Sequence, residues 1–162
     1  MALIHEMILV SKQNFEDFDF SKLKRNQLGK IIVDDSKIID LLEVTDDLIN
    51  YLADFLNWIP TSIDLNKKNS FGLNYHGVTY ILNEDSELIG KLFNSLVNLF
   101  SIPQKKIKLT GEFCWQDENL GSGEYEVIVL DKEDTINIFK KVASWAKKME
   151  DDCNLYIVHM GV

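Results

Sequence analysis

The sequence predicts an α+β fold: a largely antiparallel sheet built from hairpins, amphipathic helices packed on one face of it, two successive β-β-α units and a C-terminal strand. Three observations predict it. Apolar and polar residues alternate with a period of two around 71–82 and again over 107–130; helical spacing takes over in the segment after each; and Leu155-Tyr-Ile-Val-His159 is a continuous apolar run. With 162 residues, 46% of them hydrophobic, and no Pro/Gly/Ser-rich linker, the chain reads as a single domain spanning 1–162.

Residues 3–10 read as a buried strand. The polar stretch from Asn14 to Gln27, dotted with Phe15, Phe18 and Leu23, shows no clean period and is left unassigned. Gly29 precedes the apolar Ile31-Ile32-Val33, and Asp34-Asp35-Ser36 offers a cap for a brief helix carrying Ile38, Ile39, Leu41 and Leu42. From Thr45 a capping residue and two acidic residues lead into Leu48, Ile49, Leu52, Phe55, Leu56 and Ile59 on one helical face, stopped at Pro60.

Phe71, Leu73 and Tyr75 alternate up to His76-Gly77, and Val78, Tyr80 and Leu82 alternate after it, which predicts a hairpin with the glycine in its turn. Asn83 is placed to cap a helix holding Leu88, Ile89, Leu92, Phe93, Leu96, Val97 and Phe100 before Pro103. The same grammar repeats when Ile107, Leu109, Gly111, Phe113 and Trp115 alternate with polar neighbours and a strand returns over Glu124 to Leu130. Asp131 then starts a helix with Ile138, Phe139, Val142, Trp145, Ala146 and Met149 inward. The closing run suits a central strand buried on both faces.

Seventeen basic against 26 acidic residues give a net charge of −9, a surface that repels phosphate backbones and anionic lipid and attracts basic proteins. A nucleic-acid or membrane partner is not expected. Most of the paired carboxylates fall at helix starts or in loops, where capping explains them. Cys114 and Cys153 are too few for a disulfide framework and share no ligand spacing, which fits a reducing, cytoplasmic setting. The apolar start is short, lacks a basic leader and contains His5 and Glu6, so it makes a poor signal peptide, and no stretch approaches the ~20 apolar residues of a membrane span.

Motifs for nucleotide, acyl-transfer or zinc chemistry are missing, and neither a catalytic residue, a cofactor nor a metal site is assigned. His5, His76 and His159 fall in separate strands or turns at no ligand spacing and read as surface or strand-packing residues. A Cys114–His159 pair lacks anything that would activate the thiol. Glu124 and Glu126 share a strand face, as paired carboxylates do in acid–base sites, but solvent-facing strand positions explain them more cheaply.

The most individual feature is the connection Trp115-Gln-Asp-Glu-Asn-Leu-Gly-Ser-Gly-Glu124. An aromatic anchor ringed by acidic groups is the composition of a hot spot for a basic partner, and Trp115, Asp117, Glu118, Glu124 and Glu126 are the candidate partner-binding residues. Strict alternation with Leu109 and Phe113 would instead turn Trp115 into the core.

Gly111-Glu-Phe-Cys-Trp115, Gly123-Glu-Tyr125, the helix that follows and the ending Tyr156-Ile-Val-His159-Met-Gly161 together resemble the small acidic immunity proteins of bacterial polymorphic or contact-dependent toxin systems. The resemblance covers the C-terminal third. It implies a cytosolic antidote that caps its toxin's active site and carries no catalytic residues of its own. Two other classes are weighed against it: a homodimeric regulatory or binding module, and an enzyme with an unfamiliar site, which the missing motifs disfavour.

Overall fold

The computed structural model describes residues 3–11, 23–27, 29, 31–32, 38–63, 70–103, 105–115 and 122–162. Its centre is a four-stranded antiparallel sheet of β1 (Ile4–Ser11), β2 (Ile38–Thr45), β5 (Val78–Ile81) and β8 (Leu155–Met160), in the order β2-β1-β8-β5. The expected first strand and the expected central C-terminal strand are both present. Val10, Tyr156, Ile157 and Val158 are fully screened from solvent because β1 and β8 are covered on both faces.

Period two sorts the sheet into two apolar layers. Met7, Leu9, Val44, Ile81, Leu155 and Ile157 face the helices α1 (Asp46–Tyr51), α2 (Ala53–Leu56), α3 (Ser86–Phe100) and α4 (Lys132–Asp151). Ile8, Val10, Tyr80, Tyr156 and Val158 face the other way, where Leu23 and Ile31 lie over them. Arg25 anchors that covering segment, donating from both terminal nitrogens to the Glu6 carboxylate at 2.7 Å.

The brief helix expected over residues 36–42 is not formed: Ile38 to Leu42 belong to β2, in register with β1. A short apolar run has no unique period, and pairing with the buried β1 decides its conformation. The long helix expected from Thr45 to Pro60 is two shorter pieces joined at Leu52, with bonds from Leu52 N to Leu48 O and from Leu56 N to Leu52 O bridging the junction.

The strand–strand–helix order occurs twice, but the two units are built differently. In the first, β4 (Ser70–Phe71) pairs with β3 (Pro60–Thr61), whereas β5 pairs with β8, so the expected 71–82 hairpin is not a ladder. Gly77 still turns the chain there with φ +86°, a left-handed conformation that suits glycine. In the second unit, β6 (Lys106–Trp115) and β7 (Gly123–Asp131) form the expected hairpin, as a two-stranded sheet separate from the central one.

α4 follows the sequence reading closely. The Asp131 side chain accepts from the backbone N–H groups of Glu133 and Asp134 at 2.9 and 3.1 Å, satisfying two donors of the first turn. Phe139, Val142, Trp145, Ala146 and Met149 have no exposed surface, and Phe139 meets the edges of Phe93 and Phe100 from α3. Asn83 does not cap α3, which follows a 3₁₀ turn over Asn83–Asp85; its amide instead donates to the Met149 carbonyl near the end of α4. At the sheet edge, the Asp40 carboxylate accepts from Lys141 Nζ and Trp145 Nε1 at 2.8 and 2.9 Å, tying β2 to α4. Burial would raise the Asp40 pKa, but these donors outweigh it and hold the carboxyl below its usual range. Among the described residues no helix is long and apolar enough to cross a membrane.

Candidate functional site

The β6–β7 hairpin determines where the expected binding residues go. Ile107 and Leu109 point toward the core, and strict alternation would send Gly111, Phe113 and Trp115 the same way. The ladder pairs Thr110 with Val127 but Phe113 with Tyr125, so three steps along β6 answer two along β7. That one extra residue is a bulge, and it moves every later β6 side chain to the opposite face. Phe113 and Trp115 therefore join Tyr125, Val127 and Val129 on the outer face, all of them exposed. The Phe113 ring stands edge-on to Trp115 and to Tyr125, with centroids 4.9 and 5.1 Å apart. Trp115 is 56% exposed, so its place is the surface and not the core.

Glu124 and Glu126 occupy the other face of β7 by alternation, and the structure separates them from the Trp115 ring. Glu126 looks into an open cleft of about 840 Å³ between the hairpin and α1. Four acidic residues line that cleft: Asp46 and Asp47 from the first turn of α1, Glu112 from the bulge, and Glu126. Tyr51 and Tyr75 supply aromatic walls, and no lysine or arginine among the described residues lines the space. Glu124 is exposed nearer the hairpin end. Asp117 and Glu118 lie outside the described residues.

Behind the cleft stands a group that sequence reasoning did not assemble. His5 on β1 and His159 on β8 have no exposed surface. Both lie on the helix-facing side of the sheet: His159 pairs across the ladder with Met7, which makes His5 its diagonal neighbour. Their rings stack with centroids 5.1 Å apart and 16° between planes, and His5 Nδ1 is 2.9 Å from His159 Nε2. The other nitrogen of His5, Nε2, is 3.1 Å from Asp46 Oδ1. Asp46 in turn accepts from the Asn50 amide at 3.0 Å through Oδ2. A contiguous chain thus runs from the buried His159 to a carboxylate at the cleft wall.

The environment shapes the charges along this chain. Burial, reinforced by the neighbouring His5, pushes the His159 pKa down to about 3, so His159 is neutral near pH 7. Tyr75 meets the edge of His5 at 5.6 Å; partial desolvation and then its contact with the Asp46 carboxylate raise its phenol pKa. The 74–77 segment is held by the end of β8: Gly161 N donates to Gly77 O at 2.8 Å, and Val162 N to Tyr75 O at 2.9 Å. A Cβ at Gly161 would collide with the Tyr75 carbonyl, so glycine is needed for this close approach.

His76, the third histidine, bonds through Nδ1 to the Val162 carbonyl at 2.6 Å and packs against Tyr75. Among the described residues, no three His, Cys, Asp or Glu side chains gather as metal ligands would. Cys114 is exposed on the hairpin while His159 is buried in the sheet, so these two residues form no reactive pair. The surroundings hold an exposed aromatic outer face and a carboxylate-lined cleft, with the His5–His159 pair behind the second. Comparison of the chain with protein-family models, with curated proteins and with solved structures finds no match.

Proposed function

We propose that this chain is a non-catalytic protein-binding domain, an immunity protein that neutralises a cognate toxin by binding a basic surface on it. The observation that carries the proposal is the hairpin. One of its faces presents the exposed Phe113–Trp115–Tyr125 cluster, and its other face contributes Glu112 and Glu126 to the acidic cleft. Exposed aromatic anchors on one face of the hairpin and a carboxylate-lined cleft on the other suit a partner rich in lysine and arginine that engages both, and a net charge of −9 would speed its capture. Both cysteines are free and exposed, which suits the reducing cytoplasm the proposal requires.

The test is co-expression with the product of the adjacent gene, followed by copurification and stopped-flow association at several salt concentrations. A stable complex whose association rate falls with salt supports the proposal. In the complex, Trp115→Ala should raise the dissociation rate at least tenfold while leaving the free protein within about 0.5 kcal/mol of its original stability. An adjacent gene unrelated to toxins, or a Trp115→Ala variant that binds unchanged, would refute it.

The apolar outer face of the hairpin also favours a second reading, a homodimer joined through Phe113, Tyr125, Val127 and Val129. Sedimentation over a hundredfold range of concentration decides between the two. A monomer throughout excludes the dimer.

A further inference from the structure

From the geometry we infer that Asp46, His5 and His159 form a tautomeric proton switch that resets the charge at the back of the acidic cleft. The heavy atoms permit two proton arrangements. In the first, His159 Nε2–H donates to His5 Nδ1, and His5 Nε2–H donates to Asp46; both imidazoles are neutral, and Asp46 keeps its full negative charge toward the cleft. In the second, His5 has gained one proton and donates from both nitrogens, to Asp46 and to His159 Nε2. His159 must then carry its own proton on Nδ1.

One proton therefore enters as a coupled event: His5 becomes cationic, His159 changes tautomer without changing charge, and no hydrogen bond in the chain is lost. A second proton has no place. Two stacked imidazolium rings would face each other through donor N–H groups, with one carboxylate in contact to compensate them. The groups around the pair are Asp46 from α1, the Tyr75 ring from the turn before β5, and the uncharged ladder partners Val44 on β2, Met7 on β1 and Thr79 on β5.

His159 Nδ1 is buried and has no hydrogen-bond partner among the described residues. It is an unpaired acceptor in the first arrangement and an unpaired donor in the second, and a buried orphan N–H is the rarer of the two. This asymmetry holds the chain in the first arrangement until a fall in pH supplies the proton from solvent, whose entry the constant charge of Asp46 favours. Once it has entered, a buried cation offsets one of the four carboxylates lining the cleft, and a cationic ligand there would compete with the proton. The switch itself does not depend on which partner occupies the cleft.

Long-range ¹H–¹⁵N NMR on the full chain labelled at histidine, recorded from pH 8 to pH 5, reads charge and tautomer at each ring. One proton taken up by the pair is expected, with His159 staying neutral and moving its proton from Nε2 to Nδ1 in the same transition. Asp46→Asn, at a partly exposed helix start, should displace that transition to lower pH, because the carboxylate that His5 Nε2 contacts is gone. Any of four results would overturn the inference: an imidazolium at His159, an unchanged His159 tautomer while His5 titrates, no proton uptake by the pair, or loss of the folded amide spectrum before the transition.

Discussion

Lowering the pH should destabilise this protein from the moment it passes the ordinary histidine range, because of His159. In the unfolded chain His159 has an ordinary pKa of about 6.5, whereas in the fold burial holds it at about 3. Between those values the unfolded state binds a proton that the native state refuses, so stability present above pH 6.5 is lost as pH falls. Integrating that difference from pH 7.5 to pH 5 gives about 2 kcal/mol from this one side chain, and the full shift corresponds to about 5 kcal/mol. Ordinary carboxylates are mostly still ionised at pH 5, and comparison with a variant that lacks only this ring cancels what they and the other histidines contribute. Urea denaturation at pH 7.5, 6.5, 5.8 and 5.0 measures it, with His159→Phe as the comparison. The variant will be less stable at pH 7.5, since His5 Nδ1 loses its partner, but its loss between pH 7.5 and pH 5 should be smaller by about 2 kcal/mol. Parallel curves for the two proteins would refute the reasoning.

Other perturbations test the packing and the caps. Phe139→Ala empties a fully buried site between Phe93 and Phe100 and should cost about 3–5 kcal/mol in urea denaturation. Asp131→Ala removes the acceptor for two first-turn N–H groups of α4 and should cost about 1 kcal/mol, whereas Asp131→Asn should retain most of the stability. Gly161→Ala forces the Tyr75 carbonyl aside and should move the amide resonances of residues 74–77 in NMR, with little change at the hairpin.

The parts of this fold that could be read from sequence are those decided within a few residues. Asp131 and the inward row from Phe139 to Met149 follow from capping chemistry and a 3.6-residue period, and both are local. Ile38 to Leu42 failed as a helix because a short apolar run acquires its conformation from whichever strand it meets, here β1. The alternation over 71–82 was legible, but not that β5 would be taken by β8 and β4 by β3. Trp115 shows how little is needed to invert an assignment, since one bulge residue, which strict alternation cannot anticipate, carries it from the core side to the solvent side. The period of two does place His5 with Met7 and Leu9, and His159 with Leu155 and Ile157, on core faces. Their meeting depends on a register between strands some 154 residues apart, which a single sequence does not encode in any local pattern.

That same pairing of β1 with β8 has a consequence for the order of events during synthesis. β1 leaves the ribosome well before its partner on one side, β8, which is made roughly 150 residues later. At ordinary elongation rates of about 5–20 residues per second, the delay is on the order of ten to thirty seconds. Throughout that interval one apolar edge of β1 is unpaired, and β5 lacks the strand that joins it to the sheet. The nascent chain therefore carries an aggregation-prone edge that stays open until β8 has been made, and holdase chaperones would be expected to engage it before then and to let go afterwards.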